Sequence, residues 1–174
     1  MNSKKFLALT MAAAMTLSLA ACGGDSSSAG GTATSGSTSA ENTGNAFKVG
    51  GTGPLTGDNS IYGLAAYHGA QIAVDEIKEA GGDVQFDLRY EDDVSQAETA
   101  VNAYNNLKGW GMQISLGSVT STPGLSTSVQ NYADRIFALT PSASAPKVIE
   151  GKDNVFQMCF TDDNQGSASA QYIS

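Results

Sequence analysis

Histidine occurs once in the 174 residues and cysteine twice. The single imidazole, His68, excludes a catalytic triad and any zinc site built on histidine. It falls inside a helical stretch, where it reads as a solvated or edge-packed residue. Two thiols, Cys22 and Cys159, give no disulfide framework if either one is otherwise engaged. Basic residues are also scarce: nine Lys and Arg stand against 17 Asp and Glu, a formal charge of −8. That balance excludes a nucleic-acid partner, whose phosphates need a basic footprint. After residue 21 there is no apolar run long enough to cross a bilayer.

The amino terminus carries Lys4 and Lys5, then an apolar run over 6–19 interrupted only by Thr10, Thr16 and Ser18, then Ala20 and Ala21. This is the three-part pattern of a secretory signal. Its ending, Leu19-Ala20-Ala21-Cys22, resembles the lipobox of bacterial lipoproteins, which implies cleavage before Cys22 and a diacylglyceryl group on its thiol. Two acyl chains suffice for stable anchoring at the outer face of the cell membrane. Cys159 is then left without a partner in the chain. Residues 23–45 are mostly Gly, Ser, Thr and Ala with hardly an aliphatic or aromatic side chain. Such a segment buries too little apolar surface to offset its ordering entropy and reads as a disordered tether.

The remainder alternates between two periods. A short strand over 47–50 leads into a turn-rich loop. A helix over 62–80 follows, with Ala66, Ala70, Ala73, Val74 and Ile77 as its stripe and Gly81-Gly82 as its stop. Val84, Phe86, Leu88 and Tyr90 alternate with polar residues as a strand. Ser95-x-x-Glu98 has the form of a capping box, opening a helix striped by Ala97, Ala100, Val101, Tyr104 and Leu107. Further strands are predicted over 112–116, 136–139 and 155–159. Between the first two of these, Thr122 as cap and Pro123 as first helical residue open a helix expected to turn Leu125, Val129 and Tyr132 inward. Alternating strands and helices imply an α/β fold, a parallel sheet flanked by helices.

In such sheets ligands bind outside the carboxyl ends of the strands. The loops there, 52–62, 91–95, 118–122 and 141–145, are rich in small polar residues. The glycines of the first loop, Gly51-x-Gly53-x-x-x-Gly57, have the wrong spacing for a dinucleotide fingerprint, and Pro54 removes an amide. Glu91-Asp92-Asp93 reads as a solvated charge cluster at a helix start. Ser144-x-x-Lys147 matches the serine and lysine spacing of penicillin-binding enzymes without their companion motifs. The best candidate is Ser118-Val119-Thr120-Ser121-Thr122-Pro123: hydroxyls and free amides at a helix amino terminus suit an anion such as a carboxylate.

Phe47-Lys48-Val49 leading to Gly53-Pro54-Leu55-Thr56-Gly57, then Tyr62-Gly63 and Gly69-Ala70, resembles the opening of the branched-chain amino acid binding proteins of ABC transporters. The likeness continues through Glu91-Asp92-Asp93, Leu116-Gly117-Ser118, Thr140-Pro141-Ser142-Ala143 and Gln165-Gly166. It implies the first lobe of a type I periplasmic-binding-protein clamshell over 46–161, with 162–174 as the start of a second lobe. It also implies a non-enzymatic receptor that delivers an amino acid or similar small solute to an ABC permease and needs no cofactor. By the same resemblance Ser121 binds the α-carboxylate. Ala143, through its carbonyl, and Ser144 contact the α-ammonium and carboxylate, and Tyr62 is an aromatic at the pocket edge. Relatives of this kind are expected to be about twice as long, so the chain reads as a fragment that exposes apolar faces and closes weakly on solute. A sensory domain of the same fold, and an exported hydrolase using Ser144 and Lys147, are the alternatives.

Overall fold

The computed structural model describes residues 46–174, so the signal segment, Cys22 and the tether lie outside the described residues. The strands are β1 Ala46–Gly53, β2 Gln85–Asp92, β3 Ile114–Ser118, β4 Phe137–Thr140 and β5 Val155–Gln157. The helices are α1 Ser60–Ala80, α2 Ala97–Trp110, α3 Ser121–Asp134 and α4 Asp162–Ile173, with a short 3-10 turn at Pro146–Val148. The strands form one sheet in the order β2-β1-β3-β4-β5, and every neighbouring pair is parallel. The parallel α/β sheet expected from the alternating pattern is therefore present, with the third predicted strand displaced by two residues.

Two adjacent residues of β1 show how the helices divide. A side chain at Gly50 would strike Leu107 of α2 and Met112, whereas one at Gly51 would strike Tyr90. Tyr90 in turn packs against Tyr67 of α1 in a tilted contact, ring centroids 5.4 Å apart. Successive strand residues point to opposite faces, so α1 and α2 lie on opposite sides of the sheet. The α2 side holds the packed core of Tyr104, Leu107 and Met112, flanked by Trp110 and Ile136. Burying Tyr104 and Leu107 contributes about 1.5–3 kcal/mol each.

The α1 side is much more open. Phe137 of β4 and Phe156 of β5 stack with centroids 5.5 Å apart, yet remain 47% and 46% exposed. Ile61, Leu64, Ile72 and Ile77 of α1 are exposed as well.

Three local readings need correction. First, α2 starts at Ala97 with Gln96 as its cap, and there is no side-chain capping bond. Ser95 sits at φ 57° as part of a turn in which its amide donates to Asp93 Oδ1, so it is not positioned to form a capping box. Second, α3 begins at Ser121 after Thr120, two residues earlier than read, which places Pro123 third in the helix. Proline is tolerated there because first-turn amides have no intrahelical acceptor. Third, Leu125, Val129 and Tyr132 face outward, while Gly124, Thr127, Ser128 and Asn131 are buried against the sheet. The reason is a buried hydroxyl chain: Thr52 Oγ1 to Ser118 Oγ at 2.6 Å, then Ser118 Oγ to Thr127 Oγ1 at 2.9 Å. Helix and sheet meet through hydroxyls that would be costly to bury unpaired.

Candidate functional site

Parallel strands bring all four polar loops to one edge of the sheet. The geometry there begins with a bulge. Gly50 pairs with Ser115, but Thr52 pairs with Ser118, so β3 carries one extra residue. Gly117 supplies it at φ 64°, a left-handed conformation that suits glycine. The bulge turns Ser118 into the buried hydroxyl chain and sends the chain through Val119 and Thr120 into the first turn of α3. There the first intrahelical bond is Gly124 N to Thr120 O at 2.9 Å, which leaves the amides of Ser121 and Thr122 without intrahelical partners. Those amides and the helix dipole make this end attractive to an anion.

Loop 141–145 closes over the same helix end. A side chain at Gly124 would come within 2.9 Å of the Ala143 methyl, so glycine is what allows the loop to lie on α3. Ser121 Oγ accepts the Ser144 amide at 3.2 Å and the Ala145 amide at 3.3 Å. With both lone pairs used, its proton is free to be donated outward. Ala143 donates its amide to Thr140 Oγ1 at 3.2 Å, and Ser142 Oγ donates to the Val119 carbonyl at 2.6 Å. Three of the four residues named from the resemblance, Ser121, Ala143 and Ser144, are thus brought together.

Among the described residues no hydrogen bond joins Tyr62 to them. It lies in the first turn of α1, 62% exposed. Its start is tied to that of α3 through one hydroxyl: Asn59 Nδ2 donates to Ser95 Oγ at 3.1 Å, and Thr120 Oγ1 donates to the same oxygen at 3.5 Å. Ala143 is fully buried, and its carbonyl already accepts the side-chain amide of Gln157. Among the described residues, no hydrogen bond or ion pair joins Lys147 to Ser144.

The acidic cluster is not a solvated one. Asp92 Oδ1 accepts the amides of Leu55 at 2.8 Å and Val94 at 2.9 Å, and Oδ2 accepts Thr56 Oγ1 at 2.6 Å. It is the strap that holds the β1–α1 loop to the β2–α2 loop. Partial burial pushes its carboxyl up, but the bonds from Thr56, Val94 and Leu55 outweigh that and hold it below the usual carboxylate range. Asp93 is fully buried, with Oδ2 unpartnered among the described residues. Burial pushes its carboxyl up, and the bond from the Ser95 amide only partly offsets this. Glu91 pairs with Arg89 at 2.6 Å. Gln157 was missed by motif reading, and Asp92 and Ser95 were given other roles, because what they do depends on loops distant in sequence.

A family model described as periplasmic binding protein matches residues 46–174, every element of the sheet included. The chain is 34% identical over 128 residues to the Leu/Ile/Val-binding protein BraC3 of Rhizobium johnstonii, covering 72% of this chain and 35% of that one. It is 33% identical over 124 residues to Leu/Ile/Val-binding protein homolog 1 of Brucella abortus, covering 69% and 33%. Among solved structures, a leucine binding protein LivK from Thermotoga maritima matches with TM-score 0.65 at 28% identity, over 72% of this chain and 36% of that one. The substrate binding protein LivJ of a branched-chain amino acid transporter from Streptococcus pneumoniae, in complex with isoleucine, matches with TM-score 0.64 at 28% identity, over 68% and 35%. The chain spans about a third of the length of the curated relatives it matches. Its sheet order and flanking helices are those of the type I lobe that these neighbours share, and the chain belongs to the periplasmic binding protein family.

Proposed function

We propose that this chain is the carboxylate-holding lobe of a lipid-anchored, extracytoplasmic solute-binding protein serving an ABC importer, with a branched-chain amino acid as solute. The observation that carries it is Ser121. Its hydroxyl accepts two loop amides at the amino terminus of α3, which leaves an O–H donor beside free helix amides. A carboxylate there receives a charge-assisted hydrogen bond and the favourable end of the helix dipole. Ser144 adds a second hydroxyl from the facing loop, and Tyr62 offers an exposed aromatic edge at the start of α1. The Leu/Ile/Val-binding names of the relatives support an amino acid as the solute. The resemblance sends the α-ammonium to the Ala143 carbonyl and to Ser144; with that carbonyl buried and held by Gln157, the Ser144 hydroxyl is the group that meets it first. Residues 162–174, which contain the exposed helix α4, are assigned to the start of a second lobe.

Adding L-leucine, L-isoleucine or L-valine at millimolar concentration should shift the amide resonances of Ser121, Thr122, Ser144 and Ala145. Ser121→Ala should weaken that response about tenfold or more, the loss of one charge-assisted bond. If these amides are indifferent to all three amino acids, the proposal fails.

Anchoring is assigned to Cys22. Expressed in a bacterial host, the chain should partition with membranes and give an amino-terminal peptide starting at Cys22 that carries a diacylglyceryl group. Cys22→Ser should release it. A soluble wild-type product cut elsewhere would overturn the anchor.

A further inference from the structure

We propose that Gln157 is a positioning residue of the solute site: its side-chain amide latches loop 141–145 from the carbonyl side and fixes how that loop faces Ser121. The inference rests on the reading of this loop as solute-binding. Gln157 Nε2 donates to the Ala143 carbonyl at 2.5 Å and, more weakly, to the Ala145 carbonyl at 3.4 Å. From the opposite side, Ser121 Oγ accepts the amides of Ser144 and Ala145. The Ser144 carbonyl, between the two, accepts the Asp162 amide at 3.1 Å. The same peptide units are therefore held on both edges.

Strand pairing explains why glutamine can do this. Gln157 is the register partner of Thr140 across the β4–β5 pair. Side chains directly opposite in a sheet lie on the same face. Thr140 Oγ1 takes the Ala143 amide, and Gln157 Nε2 gives to the Ala143 carbonyl. One cross-strand pair thus brackets one residue, Ala143, through the two peptide units that flank it. Two carbonyl acceptors also decide which end of the side-chain amide faces the loop. The other end, Oε1, is buried and has no partner among the described residues. A side chain held only by general packing would turn that oxygen to water, because leaving it unpaired in the interior is unfavourable. Gln157 keeps this arrangement, so the contacts made by Nε2 are what place it.

Gln157→Glu converts the latch into a titratable one. Ionised, the carboxyl has no proton to donate and faces two carbonyl oxygens; protonated, it donates as the amide does. In the full chain, hydrogen-exchange protection of the Ser144 and Ala145 amides should fall about tenfold in this variant near pH 8, one hydrogen bond's worth of local opening, and recover towards pH 4. Wild type should show no such step, and Gln157→Leu should stay low at every pH. A further measurement needs no variant: one Nε2 proton of wild-type Gln157 should exchange slowly. Unchanged protection in both variants, or freely exchanging Nε2 protons in wild type, overturns the latch. Leucine titration separates the latch from the solute reading. A leucine response in wild type that falls about tenfold in Gln157→Leu supports the proposal, since loop order and affinity are then coupled. An equal response in both overturns it. A pH step in Gln157→Glu with no leucine response in wild type removes the solute reading and with it the positioning role.

Discussion

Gly63→Ala is expected to lower the thermal midpoint by roughly 10 °C, from a loss of about 2–3 kcal/mol. On an ordinary exposed helix the same change is favourable by up to about 1 kcal/mol, because alanine is the better helix former. Here the backbone of the β1–α1 loop decides otherwise. A methyl group at Gly63 would sit 1.9 Å from the Pro54 carbonyl oxygen, 2.6 Å from its carbon and 2.9 Å from its nitrogen. No side chain can move aside, since all three atoms are backbone. Gly63 is also the one buried residue of α1, so this contact is where the helix is seated on the sheet end. Gly69, six residues later on the same helix, has nothing within 4 Å of the equivalent position. Gly69→Ala should therefore raise the midpoint slightly. Urea unfolding of both variants checks the pair, and equal effects of the same sign would show that α1 does not sit against Pro54 in this way.

Asp92→Ala should destabilise the fold by roughly 2 kcal/mol at neutral pH, because it leaves the amides of Leu55 and Val94 and the Thr56 hydroxyl without their charged acceptor. The loss should depend on pH in a definite direction. Asp92 has its carboxyl held below the usual value in the fold. Its contribution is complete above the ordinary pKa of about 3.9 and is lost as pH falls through the lower folded-state value. The difference between wild type and Asp92→Ala should shrink accordingly at acid pH. Asp93, next in sequence, has the opposite sign. Burial raises its carboxyl in the fold, so it favours folding below the ordinary value and loses that as pH rises through the raised one. Asp93→Asn should accordingly gain stability at neutral pH while keeping the acceptor for the Ser95 amide. Unfolding midpoints of the two variants across acid to neutral pH test the contrast. A loss in Asp93→Asn as large as that in Asp92→Ala would sink it.

The neighbouring aspartates also show how far local pattern reaches. Three acids in a row before a helix look solvated from sequence, since carboxylates are rarely buried. One of the three, Glu91, pairs with Arg89 within its own strand, which spacing could suggest. The other two are decided by β1 and its loop. Gly53 takes the Asp93 amide at 3.0 Å, and Asp92 gathers donors from Leu55 and Thr56, nearly forty residues away. The sequence carries no local mark of such bonds. The same holds for Gln157, an ordinary strand residue until Ala143 is placed beside it.

Helix α3 gives the clearest division. Its existence, its approximate length and its placement after the third strand follow from periodicity and from a small polar segment containing Pro123. Which face it buries does not. Leu125, Val129 and Tyr132 recur at helical spacing and read as the inward stripe, yet they point to solvent while Gly124, Thr127, Ser128 and Asn131 meet the sheet. Periodicity establishes that a helix has two faces, and the partner surface selects between them. In this protein that surface carries Thr52, Ser118 and Thr140, whose hydroxyls need donors and acceptors more than they need methyl groups.

By itself the sequence determined the alternation of strands and helices, the parallel α/β class, the loops that gather at one edge and the serine at the helix end. These follow from local backbone preference and from chain connectivity, which act within a few residues. Tertiary structure alone decided that Asp92 straps two loops, that Asp93 is buried, that α3 turns its polar side inward and that Gln157 reaches the Ala143 carbonyl. Each of those is a hydrogen bond between groups brought together only when parallel strands stack, and its energy depends on the burial that the finished sheet provides.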